Sequence, residues 1–185
     1  MKHPTTLALL SLLGLLAMLL APAAADDDGF KSIFDGKTLQ GWDGDPKFWK
    51  VEDGAITGET TKDNPTKGNT FIIWRDGTPG DFELKLEYKL RNHNSGIQVR
   101  SFELPNKKWG IGGYQADIAE AARFDGILYG EHYRGILAMR GKKTVIGKDH
   151  KPKDVGDLGD PTELLKAVKK GEWNEYHIIA KGNKL

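Results

Sequence analysis

Along residues 81–90 the chain reads DFELKLEYKL, and every second position is apolar. Phe82, Leu84, Leu86, Tyr88 and Leu90 take one side of an extended chain, and Glu83, Lys85, Glu87 and Lys89 take the other. Strand side chains alternate between faces, so the pattern predicts a strand with one face on a core and one in water. Similar runs predict strands at FKSIF (30–34), NTFIIWR (69–75), SGIQVRSF (95–102), GYQADIAE (113–120), GILAMRG (135–141) and EWNEYHIIAKG (172–182). FWKVEDGAITG (48–58) reads as a hairpin turning at Asp53-Gly54. PTELLKAVKK (161–170) predicts a helix of two to three turns. Pro161 opens it, Glu163 lies early, Lys169 and Lys170 lie late, and Gly171 stops it. The Gly/Asp/Lys-rich segment 147–160 reads as a mobile loop. With 23 glycines and turn signals between short strands, the expected class is an all-β sandwich or barrel.

The first residues do not fit this pattern. Lys2 and His3 precede an apolar run at 7–20, and Ala21, Ala23, Ala24 and Ala25 follow it around Pro22. That order is a signal peptide, with cleavage expected near Ala25/Asp26. The run is short for a membrane span, and a spanning anchor is the competing reading. Cleavage implies a secreted or periplasmic protein with no membrane partner. The remainder, 26–185, reads as a single domain. It stops soon after the Gly182-Asn183 turn, where a partner strand is expected, so closing C-terminal strands are read as missing.

Composition narrows the chemistry. The chain has no cysteine, which excludes a lipoprotein anchor, disulfides, thiol catalysis and thiolate metal sites. The leader carries Lys2 and no acid, so the rest is charge-balanced, and no basic block points to nucleic acid.

Two of the expected strands have unusual second faces. Ile97 and Val99 alternate with Asn94, Gly96, Gln98 and Arg100; Tyr114, Ala116 and Ile118 alternate with Gln115 and Asp117. If the strands are neighbours, Asn94, Gln98, Arg100, Gln115 and Asp117 line one groove. Amides both donate to and accept from neutral hydroxyl groups. Asp117 can act as a base; the competing reading is a cross-strand ion pair with Arg100. Glu131, in LYGEHYRG (128–135) with Tyr129 and His132, is a candidate second acid/base group, against a plain surface loop. His93 reads as a turn residue and Glu120 as exposed. Trp49, Trp173 and Trp42 read as core, although Trp42 could instead stack on a ligand ring.

The segments IFDGKTLQGW, WKVEDGAITG, FELKLEYKLRNHNSGIQVRS, GYQADIAE, GILYGEHYRGIL and EWNEYHIIAKGN, in this order, resemble the 3-keto-disaccharide hydrolase family. The resemblance implies a two-sheet antiparallel jelly-roll sandwich of the concanavalin/laminin-G type and a 3-keto sugar substrate. A C3 ketone acidifies the C2 hydrogen, so a base can remove it, the C1 substituent can leave, and water can add back. On that chemistry Asp117 is the expected base, Glu131 the acid/base partner and Arg100 the enolate stabiliser. Asn94, Gln98, Gln115, Tyr129 and His132 are the expected sugar contacts. A divalent ion could assist the enolate; no EF-hand or HExxH spacing places its ligands. A non-catalytic carbohydrate-binding module and a surface scaffold domain are the alternatives, and fold alone does not separate them.

Overall fold

The computed structural model describes residues 29–185, and the expected leader at 1–25 lies outside the described residues. The unit Ile33–Leu185 holds β1 (Trp42–Gly44), β2 (Trp49–Glu52), β3 (Ala55–Gly58), β4 (Ile72–Trp74), β5 (Phe82–Tyr88) and β6 (Asn94–Glu103). It continues with β7 (Ile111–Ala119), β8 (Leu128–Glu131), β9 (Gly135–Ala138), β10 (Lys142–Ile146), β11 (Pro152–Asp157), α1 (Pro161–Leu165) and β12 (Asn174–Ala180).

Every pairing among the described strands is antiparallel, and the fold is an all-β sandwich. Its largest sheet runs β6-β7-β8-β9; the other strands pair as β1-β4, β2-β3, β5-β12 and β10-β11. In β5 the apolar positions are half-buried and the charged ones exposed, as the alternation requires. β12 continues that surface in register, Tyr176 opposite Leu86 and Ile178 opposite Leu84. Val99, Ile118, Ile178 and Ala180 are buried. Tyr176 donates its hydroxyl to the Asp117 carbonyl at 3.1 Å, which ties β12 to β7.

The Asp53-Gly54 hairpin forms as read, with φ of 50° and 76° at its two turn residues. Four local readings are corrected. Residues 30–34 form no strand. The segment read as a loop supplies β11, which pairs with β10 through Thr144–Asp154 and Val145–Lys153. The helix is one short element: Asp160 caps it through Thr162 N and Glu163 N, and beyond Leu165 the bonds run three residues back, as in Ala167 N to Leu164 O. Trp173 is 45% exposed, with the Lys89 ammonium over its ring, and is no core residue.

Candidate functional site

β6 and β7 are neighbours, and their register decides which side chains meet. Gln98 lies opposite Gln115, Gly96 opposite Asp117, and Asn94 opposite Ala119. On the other side of β7, Tyr129 lies opposite Gln115 and Glu131 opposite Gly113. Directly opposed residues share a face, so Asn94, Gln98, Gln115, Asp117, Tyr129 and Glu131 lie on one side of the sheet. At its centre the amides form a relay: Gln98 Nε2 donates to Gln115 Oε1 at 2.9 Å, and Gln115 Nε2 donates to Asp117 Oδ1 at 2.5 Å. The carboxylate orients the relay, because it only accepts. Gly96 makes room for it: a Cβ there would stand 2.5 Å from Gln115 Cγ.

Gln115, Asp117 and Glu131 are buried, whereas Asn94, at the start of β6, is exposed. Burial is the largest influence on the Asp117 carboxyl and pushes it above the ordinary value; the Gln115 hydrogen bond opposes this, and the charges of Glu131 and Asp125 add to the rise. The competing reading of Asp117, a cross-strand ion pair with Arg100, does not hold. Arg100 sits at φ 48° in a bulge between Val99 and Phe102, which breaks the alternation that put it beside Gln98. Its guanidinium instead donates to the Gly182 carbonyl at 2.5 Å and approaches Gly80 O and Asp81 Oδ1 at 3.4 Å, at the ends of β5 and β12. Gly113 lets the bulge close, since a Cβ there would come within 2.8 Å of Ser101 Cα.

Glu131 ends a strand, where the sequence suggested a loop, and this accounts for its burial. Its Oε1 accepts from Asn69 Nδ2 at 2.9 Å and lies 3.3 Å from His132 Nε2. His132 follows at φ 49° with its side chain 43% exposed. His93 is a turn residue at φ 61°, and Glu120 is exposed. Trp42 is half-buried and donates to the Ile33 carbonyl at 2.7 Å.

Residues 29–185 match the family described as the 3-keto-alpha-glucoside-1,2-lyase-like domain. The chain belongs to that family. A 3-keto-disaccharide hydrolase of Bacteroides thetaiotaomicron is 37% identical over 97 residues, covering 44% of this chain and 31% of that protein. The match thus spans about a third of the relative's length. No solved structure matches.

In this family member two site residues had no signal in the strand pattern. Asn69 comes from the segment before β4, and its long-range bond to Glu131 could not be read from local sequence. Asp125 is buried, with Oδ1 accepting from Ala119 N at 3.2 Å; a single Asp beside a glycine reads as an ordinary turn residue. Among the described residues no group of three or more His, Cys, Asp or Glu side chains is arranged to hold a metal ion.

Proposed function

We propose that the protein cleaves 3-keto-glycosides by proton abstraction at C2, elimination and hydration. The observation that carries this reading is the pairing of Asp117 and Glu131 on one sheet face, with Asp117 bonded to an amide in place of a cation and pushed upward by burial. A carboxylate shifted in that direction is a stronger base than a solvated one. Family membership and the name of the relative support the substrate class.

In the proposed sequence Asp117 takes the C2 proton, and the electron pair moves toward the C3 oxygen as an enediolate. The enediolate then expels the C1 oxygen substituent, which takes a proton from Glu131. Water adds at C1 of the resulting enone and C2 is reprotonated, so the net change is hydrolysis. With Arg100 bonded elsewhere, the groups on this face for the sugar oxygens are Gln98, Gln115, the Tyr129 hydroxyl and Asn94, with His132 beside Glu131. The apolar leader supports export, with the mature protein secreted or periplasmic; a secreted product whose mass begins at Asp26 is the expected finding, and an intracellular full-length product refutes it.

The test is to incubate the protein with a 3-keto-disaccharide and with its unoxidised counterpart, with and without chelator. Cleavage of the keto sugar alone is expected, and chelator sensitivity decides whether a divalent ion takes part. Sugar binding without turnover of any 3-keto-glycoside favours the binding-module reading.

A further inference from the structure

Asn69 is an exposed loop residue, yet its amide is the hydrogen-bond donor to the buried carboxylate of Glu131. The residues on either side of it hold set positions. Gly68 takes φ 156°, a conformation that suits glycine. Trp49 Nε1 donates to Thr70 Oγ1 at 3.2 Å. The carboxamide is therefore delivered by a fixed stretch of backbone.

Both contacts of the Glu131 carboxylate, Asn69 Nδ2 and His132 Nε2, fall on Oε1. Among the described residues none bonds Oε2. An oxygen that already accepts a hydrogen bond from an N–H is a poor place for a proton, so a proton on Glu131 goes to Oε2. A neutral amide does this in both protonation states. A lysine or arginine in its place would favour the ionised form alone and leave no proton for the leaving group.

We propose that Asn69 is a positioning residue for Glu131: it holds Oε1 as an acceptor and leaves Oε2 to give and receive the proton at the C1 oxygen of a 3-keto-glycoside. This role rests on the function proposed above. Asn69→Ala is expected to lower kcat about tenfold or more while KM stays within about twofold, because a misdirected group loses rate without losing ground-state binding. Combined with Glu131→Gln it should add little further loss. Thr66→Ala, which removes a loop bond only, should leave kcat near wild type. Additive losses in the double variant, or equal losses in Asn69→Ala and Thr66→Ala, overturn the proposal.

A second readout needs no turnover. The Glu131 side-chain ¹³Cδ resonance, assigned by its absence in Glu131→Gln, should move in Asn69→Ala and stay in place in Thr66→Ala. An unmoved resonance refutes the positioning role even where wild-type activity is present. A moved resonance in a protein that cleaves no 3-keto-glycoside keeps the contact and rejects the assigned reaction, and with it the proton-delivery role.

Discussion

Asp117 illustrates how one side chain can be costly to the fold and still be retained. Its carboxyl is buried, near the charges of Glu131 and Asp125, and is pushed upward as a result. A carboxyl whose folded value lies above its unfolded value contributes most at pH below the unfolded value, and that contribution is lost as pH rises through the folded value. At neutral pH the ionised group therefore weighs against folding. Asn at this position keeps an Oδ1 to accept from Gln115 and removes the charge. Asp117→Asn is expected to melt at or above the wild-type temperature at pH 7, with the difference shrinking toward pH 4. Its turnover of a 3-keto-disaccharide should fall by about a hundred- to ten-thousandfold, the usual worth of a general base. Full activity in this variant removes Asp117 from the mechanism. Loss of both activity and stability makes it a structural residue.

At the scale of elements, β6 and β7 act as one unit, because Gln115 must cross toward Gly96 to reach Asp117. Gly96→Ala places a Cβ 2.5 Å from Gln115 Cγ, 2.7 Å from its Cδ and 3.0 Å from the Ala116 carbonyl. Overpacking of this kind costs about 1–3 kcal/mol. The variant should melt lower and lose activity together, since the displaced amide releases Asp117; an unchanged melting temperature shows that the relay is not seated on Gly96. Arg100→Ala is expected to behave in the opposite way. It removes bonds to the Gly182 and Gly80 carbonyls, so stability should fall by about 1–2 kcal/mol while kcat stays near wild type. A large kcat loss with unchanged stability would restore Arg100 to the chemistry.

These two residues also show what the sequence could and could not convey. Alternation was enough to align Gln98, Gln115 and Asp117, because period two is a property of the extended backbone itself. It failed at Arg100 because a bulge adds a residue, and parity beyond it no longer holds. Glu131 stood out as a titratable side chain, but its environment was not legible: LYGE is too short, and too glycine-rich at Gly130, to announce β8. Asn69 was illegible because its role depends on a contact with a residue 62 positions away.

For the whole molecule, the relevant link is the one between β12 and the strand that carries Asp117. Tyr176 and Tyr88 lie with ring centroids 5.4 Å apart, and Tyr176 donates to the Asp117 carbonyl, which also accepts from Gly126 N at 3.1 Å. Burial raises both phenols, Tyr176 far more strongly, with the neighbouring ring and the Asp125 and Asp117 charges adding to it. A phenol raised in the folded state contributes stability that is intact below the ordinary tyrosine value near pH 10 and is lost as pH rises toward the folded value. The unfolded chain ionises first and draws the equilibrium toward itself. Tyr176→Phe removes that dependence and one hydrogen bond. The Asp117 carbonyl keeps its bond from Gly126, so the cost at pH 7 should be only about 1 kcal/mol. Denaturant midpoints measured from pH 7 to pH 11 should thus fall less steeply for the variant, and the two curves should converge above pH 10. If instead they run parallel through that range, Tyr176 is not the group that couples alkaline pH to stability. The activity of the same variant then measures how far the β5-β12 layer supports the Asp117 backbone: a kcat near wild type shows that the β6-β7 pairing alone holds the site in place.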